Sequence, residues 1–219
     1  MIEKFGSQIT DSKITVSMIS DALDLAGLIN QTLNLRLQGV KPGLRAFGYA
    51  RTARFIPTDQ VDPTDPYGAA IDYIDGTMPG DFLVVETGES NASAFWGELF
   101  SAAALGRSAV GMVTDGNIRD VEKVGQLGFP AFSKSSRPVD FSGRMVIDET
   151  QIPVEIGGVQ IVPGDLIAAD DDGIAVVPIS SHEIVLTTAR ARARTESLVL
   201  EELLAGSTLR DVWTKHGIL

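Results

Sequence analysis

The order of elements between residues 82 and 127 restricts the possible folds more than any other feature of this chain. Pro79-Gly80-Asp81 makes a turn that delivers the apolar run Phe82-Leu83-Val84-Val85, which predicts a buried strand. Residues 87–93 are small and polar. Residues 94–105 then have helical composition, without proline or internal β-branching. A second strand is predicted over 109–113, broken by Asp115-Gly116, and a second helix over 118–127 with Gly128 as its cap. Strand, turn and helix repeated in this way predict parallel strands joined by crossover helices, with functional loops at the carboxyl ends of the strands.

The flanks differ in character. Val16, Ile19, Ala22, Leu23 and Ala26 share one face of a helix predicted over 15–28. Gly39, Pro42, Gly43 and Gly48 punctuate a loop leading to a strand over 49–56; a Pro/Asp-rich loop follows over 57–66, then a short helix over 69–74. Beyond Phe129, short strands over 154–162 and 166–177 are separated by Gly157-Gly158, Pro163-Gly164-Asp165 and Asp172-Gly173, the pattern of antiparallel hairpins. Ser180-Ser181-His182-Glu183 signals the start of a long helix that ends near Leu204, where Gly206 stops it. The residues alone give a mixed α/β fold with a parallel part and a hairpin-rich part. The 219 residues suit one domain, 1–219, with 180–219 as a C-terminal helical extension available to a subunit interface.

Composition removes whole classes of function. Eighteen Lys+Arg against 29 Asp+Glu give a net charge of −11, which repels phosphate backbones, so no nucleic acid partner is expected. The absence of cysteine excludes disulfides, thiolate zinc sites, iron–sulfur clusters and cysteine nucleophiles. Two histidines, His182 and His216, leave little for a histidine metal site. The start MIEKFGSQITDSK has neither the basic opening nor the apolar run of a secretory signal, and no apolar stretch reaches the roughly 18 residues of a membrane span, so a soluble cytoplasmic protein is expected. No Walker loop or G-x-G-x-x-G is present, which leaves nucleotide binding and methyl transfer without support.

Chemistry concentrates in Trp96-Gly97-Glu98-Leu99-Phe100 and Val113-Thr114-Asp115-Gly116-Asn117-Ile118-Arg119-Asp120. Each segment sits where a predicted strand hands over to a helix. A helix N-terminus near Gly97 would present unpaired N–H groups and a positive dipole end to a carboxylate. Arg119 offers a forked cation to a carboxylate or ketone oxygen, and Asp120 an anion for a hard metal. Adjacent Arg and Asp also occur as ordinary surface salt bridges. Trp96 either lines the site or packs in the core. Asp170-Asp171-Asp172-Gly173 reads as a hairpin turn rather than a calcium loop, Lys134 as a solvated loop lysine rather than a Schiff-base nucleophile, and neither histidine as catalytic. Arg190, Arg192 and Arg194 read as a solvated, salt-bridged helix surface.

Glu98, twenty intervening residues, then Arg119-Asp120 resembles the acid-x20-Arg-Asp signature of the RraA-like family. That family includes the class II pyruvate aldolases acting on 4-hydroxy-4-methyl-2-oxoglutarate and 4-carboxy-4-hydroxy-2-oxoadipate. The resemblance extends over most of residues 12–180, through Ile19-Ser20-Asp21-Ala22-Leu23-Asp24, Pro42-Gly43, Pro79-Gly80-Asp81, Gly116-Asn117-Ile118-Arg119-Asp120 and Pro163-Gly164-Asp165 with Ala169-Asp170-Asp171-Asp172-Gly173. It departs at Ala94, where one form of the signature has glycine four residues before the acid.

The resemblance implies a layered β/β/α domain like the swivelling phosphohistidine domain of dikinases, assembled as a homotrimer or homohexamer. It implies that Gly97, Glu98, Leu99 and Phe100 form the substrate loop, that Arg119 contacts a 2-oxo acid, and that Asp120 binds Mg²⁺ or Mn²⁺ with Glu98 reaching its water shell. It further implies an acidic residue borrowed from a neighbouring subunit, for which Glu196 is the candidate. The expected reaction is metal-dependent cleavage of a 4-hydroxy-2-oxo acid to pyruvate and a second 2-oxo acid, with oxaloacetate decarboxylation as a side activity. The family's other class, noncatalytic regulators that inhibit a ribonuclease through protein contact, is the alternative.

Overall fold

The computed structural model describes residues 14–218; the reading of the first thirteen residues lies outside them. The chain runs α1 (Val16–Leu25), β1 (Gln38–Gly39), β2 (Ala46–Pro57), α2 (Gly68–Asp75), β3 (Asp81–Glu86), β4 (Ala94–Trp96), α3 (Glu98–Gly106), β5 (Gly111–Ile118) and α4 (Val121–Leu127). It continues through β6 (Ala131–Ser136), β7 (Met145–Thr150), β8 (Val154–Ile156), β9 (Val159–Ile161), β10 (Leu166–Asp170), β11 (Gly173–Val177), α5 (His182–Leu204) and α6 (Leu209–His216).

Nine strands form one sheet, in the order β1-β6-β5-β3-β2-β10-β11, with β4 added to β5 and β7 to β2; β8 and β9 form a separate hairpin. The expected parallel part is present: β2, β3, β5 and β6 pair in parallel through crossovers that carry α2, α3 and α4. The fold is the layered β/β/α swivelling type with flanking helices.

Strand alternation accounts for the layers. On β3, Leu83 and Val85 face α2, α3 and α4 and join a core with Tyr73, Trp96 and Phe129. Phe82 and Val84 point to the opposite face, where they meet Ile156 and Ile161 of the β8–β9 hairpin. The last hairpin alternates in the same way: Ile167 and Val176 enter this second core, whereas Leu166, Ala168, Ala175 and Val177 pack against Ile19 and Leu23 of α1 and Val185, Leu186 and Ala189 of α5. The first half of α5 is therefore part of the packed body.

Three expectations are corrected. Residues 94–96 form strand β4 rather than a helical turn, because Ala94, Phe95 and Trp96 are all buried, and aromatic side chains suit a pleated surface. Asp115-Gly116 does not end β5. The strand bulges there, giving up β3 and taking β4 as its partner, so that Ala94 lies opposite Asn117. The helix expected from 118 begins at Val121, since Ile118 is the last residue of β5 and Asp120 takes a left-handed conformation (φ 57°) that excludes it from a helix. Strands β6 and β7 and helix α6 were not anticipated, and Gly128 caps α4 with positive φ as expected.

Candidate active site

Parallel pairing of β4 with β5 brings their carboxyl ends side by side, and Gly97-Glu98 and Arg119-Asp120 leave from those ends. The Arg119 N–H donates to Trp96 O at 2.8 Å, which prolongs the ladder by one step. Asp120 then turns the chain into α4, and its Oδ2 accepts from the Glu98 N–H at 3.3 Å. Gly97 serves closeness rather than backbone angles. Its φ of −164° is extended, but a Cβ there would lie 2.8 Å from Asp120 Oδ2 and 3.1 Å from Arg119 Cγ. Ala94, where the signature has glycine, is strand residue with no positive φ, and its N–H donates to Val139 O at 2.8 Å.

Helix α3 begins at Glu98, and residues 97–100 of its start help to line a cavity. Glu98 is held by Lys123 of α4 at 2.9 Å, a bond that pushes the lysine above its ordinary pKa. The Arg119 guanidinium is oriented by two carboxylates: Nη1 lies 3.1 Å from Asp140 Oδ1 and Nε 3.9 Å from Asp120 Oδ2. Asp140 is fixed in turn by the Tyr67 hydroxyl, which donates to Oδ2 at 2.7 Å. That bond, with some burial, raises the phenol above its usual pKa. Asp140 Oδ1 is buried, and its contact with Arg119 is an ion pair rather than an aligned hydrogen bond.

Two cavities share Arg119 and Asp120 as a common wall. One, of about 300 Å³, runs past Gly97 to Phe100 and is walled by Tyr67, Ile71, Phe95 and Phe141. The other, of about 470 Å³, is bounded by Val121, Ser136, Arg137 and Pro138. All of the sequence-derived positions Gly97, Glu98, Leu99, Phe100, Arg119 and Asp120 thus meet in one place. Leu99 stands 80% exposed at the rim, and Phe100 meets Phe95 and Trp96 edge-on at 5.6 and 5.9 Å. Tyr67, Asp140 and Arg137 escaped the sequence reading. Each lies outside the strand-to-helix handovers, and Tyr67 and Asp140 are 73 residues apart, so no local pattern marks them.

Other candidates lie elsewhere. Trp96 is fully buried, stacked on Phe129 at 5.7 Å, with Nε1 donating to Ser101 Oγ at 2.7 Å; it is a core residue. Asp115 and Asn117 are structural. Asp115 accepts from Thr87 N, Thr87 Oγ1 and Glu89 N, and Asn117 donates to Asn91 Oδ1 and Ser93 O. Lys134 pairs with Glu89 away from both cavities. Asp170 to Asp172 close the β10–β11 hairpin, where Asp171 accepts from Gly43 N and Asp170 from Val16 N. Glu196 pairs with Arg192 at 2.7 Å on α5 and lines neither cavity of its own chain. His182 is buried between the sheet and α5, accepting from Leu166 N at 3.1 Å, and His216 pairs with Glu202 at 3.1 Å.

Among the described residues no three His, Asp or Glu side chains converge on a metal site. The donor set at this position is Asp120, 42% exposed at the cavity lip, with Glu98 one loop away. One or two carboxylates facing solvent fit a hard cation that keeps several waters, as Mg²⁺ does, and do not fit a closed protein cage.

Comparison with known proteins identifies the family and the fold. The family model RraA-like: Aldolase/RraA matches residues 16–176. Protein DlpA of Legionella pneumophila is 30% identical over 193 residues, which is 88% of this chain but 31% of DlpA, so the chain spans about a third of that relative's length. The protein named Putative 4-hydroxy-4-methyl-2-oxoglutarate aldolase of Halalkalibacterium halodurans is 31% identical over 82% of this chain and 80% of its own. A crystal structure of an uncharacterized protein from Pseudomonas syringae superposes with a TM-score of 0.83 at 29% identity, covering 94% of this chain and 96% of that one. Streptomyces coelicolor RraAS2, described as an unusual member of the RNase ES inhibitor RraA protein family, superposes with a TM-score of 0.76 at 27% identity, covering 88% and 95%.

Proposed function

The chain belongs to the RraA-like family, and on that premise we propose that it is a divalent-metal-dependent aldolase. It cleaves a 4-hydroxy-2-oxo acid of the 4-hydroxy-4-methyl-2-oxoglutarate or 4-carboxy-4-hydroxy-2-oxoadipate type to pyruvate and a second 2-oxo acid. The observation that carries this reading is the convergence of Gly97-Glu98 and Arg119-Asp120 on one cavity, with Arg119-Asp120 also walling a second.

Asp120 is the residue to hold Mg²⁺ or Mn²⁺, with Glu98 reaching the water around it. The bound ion supplies Lewis acidity toward the 2-keto oxygen and carboxylate of the substrate. The remaining work belongs to the chain itself. Arg119, held by Asp140, donates to the 2-oxo acid where negative charge grows as the C3–C4 bond breaks. Glu98 accepts the proton of the C4 hydroxyl, directly or through water, as that oxygen becomes a carbonyl. The bonding electrons pass into the pyruvate enolate, which water then protonates at C3. Loss of carbon dioxide from oxaloacetate gives the same enolate and is the expected side activity. The aromatic wall of Tyr67, Phe95 and Phe141 keeps bulk water from one side of the reacting carbons.

The same reading carries a homotrimer or homohexamer, supported by the exposed apolar side chains Leu198, Leu200, Leu204, Leu209 and Trp213 of α5 and α6. A second reading, a noncatalytic regulator that docks on a ribonuclease, draws on the likeness to RraAS2. A coupled pyruvate assay separates them. The enzyme reading expects pyruvate release from a 4-hydroxy-2-oxo dicarboxylate that stops with EDTA and is lost in Arg119→Ala and Asp120→Ala. Release that persists through all three treatments overturns the proposal, and binding of a ribonuclease without any turnover favours the regulator.

A further inference from the structure

We propose that Arg137 is the second anion contact of this site and selects substrates that carry a carboxylate at the end remote from the 2-oxo acid group. The inference rests on the aldolase reading and refines it. Parallel pairing sets Ile118 opposite Ser136, and the Arg137 N–H donates to Ile118 O at 2.9 Å, so Arg137 follows β6 as Arg119 follows β5. Both arginines line the 470 Å³ cavity, together with Ser136.

The two cations stand in different electrostatic positions. Arg119 is balanced by Asp120 and Asp140, whereas Arg137 has no carboxylate of the described residues within ion-pair distance. Its Nη1 donates instead to the Asn91 carbonyl, and Asn91 is itself anchored by Asn117. A guanidinium held by a neutral acceptor keeps its charge and its other N–H donors for a ligand, and its fork matches a carboxylate. The smaller cavity has an aromatic wall without a second cation. An added carboxylate is therefore received on the Arg137 side.

The alternative role for Arg137 is to pin the 87–93 loop, and that role predicts equal damage to every substrate. The test compares wild type, Arg137→Gln and Arg137→Lys on a 4-hydroxy-2-oxo dicarboxylate and on the monocarboxylate 4-hydroxy-2-oxopentanoate, with Mg²⁺ present. Arg137→Gln is expected to raise KM for the dicarboxylate by about tenfold or more with kcat within about twofold, and to leave the monocarboxylate unchanged; Arg137→Lys falls between. Equal effects on both substrates, or none on either, overturn the proposal. A binding arm separates its failure from failure of the aldolase reading. If wild type turns over no 2-oxo acid, titration calorimetry with 2-oxoglutarate and 2-oxobutyrate still decides: a loss of about tenfold for 2-oxoglutarate alone in Arg137→Gln supports it, and any other pattern, including no binding by wild type, overturns it.

Discussion

At the scale of single residues, the site is a chain of mutual constraints that ends on Arg119. Tyr67 holds Asp140, Asp140 holds the guanidinium, and Asp120 bonds to the Glu98 N–H in a position that a side chain at 97 would displace. Asp120 adopts φ 57°, a conformation that costs a residue with a side chain of order 1 kcal/mol, and the surrounding contacts maintain it. Asp140→Asn keeps the shape but removes the charge that orients Arg119. We expect kcat/KM for pyruvate release to fall by about ten- to a hundredfold, with the melting temperature nearly unchanged. The coupled assay and a thermal melt check this together; a variant with wild-type kcat/KM shows that Arg119 needs no such support. Arg119-Asp120 and Glu98 were visible in the sequence because charged residues of complementary use sat at strand-to-helix handovers. Tyr67 and Asp140 were not, since a hydroxyl and a carboxylate in loops carry no signature until the fold joins them.

At the scale of elements, the decisive one is β5. The segment Thr114-Asp115-Gly116-Asn117 reads as a break by composition, yet the strand passes through it because side chains replace the missing ladder bonds. Asp115 takes three donors from the 87–89 turn, and Asn117 ties down Asn91 and Ser93 and receives the Ser135 hydroxyl. These two residues hold the loop that leads into β4, and β4 delivers Gly97 to Asp120. Asn117→Ala leaves buried partners unsatisfied, and we expect a loss of about 1–3 kcal/mol in urea denaturation together with reduced activity. An unchanged unfolding midpoint would exclude this role. The helix expected over 94–105 failed in its first four positions for a related reason: Ala94, Phe95 and Trp96 are acceptable helix residues, but the register with β5 and burial gave them to the sheet, and extended Gly97 caps the helix that follows.

At the scale of the molecule, α5 closes the structure. Val185, Leu186 and Ala189 cover the outer face of the β10–β11 hairpin, and His182 links the helix to Leu166. Burial holds the His182 imidazole below its ordinary pKa. The unfolded chain therefore takes up a proton first as pH falls through about 6.5, and the neutral imidazole's contribution to stability diminishes from there toward the folded pKa. Melting temperatures between about pH 7.5 and 5.5 should fall in the wild type and fall less steeply in His182→Gln, and equal slopes would rule out His182 as the source. No helix among the described residues is long and apolar enough to cross a membrane.

The amino-acid order alone specifies what local physics can write: the apolar runs of β3, β10 and β11, the three-and-four spaced face of α1, glycine after α4, and the charged residues that follow β5. It determined as well the order of those parts, and hence a parallel core followed by hairpins. Tertiary structure decided which neighbours complete the site. The β4–β5 pairing, the bulge at Asp115 and the Tyr67–Asp140–Arg119 connection depend on groups that are distant along the chain. Their energies appear only once burial has removed water from between them.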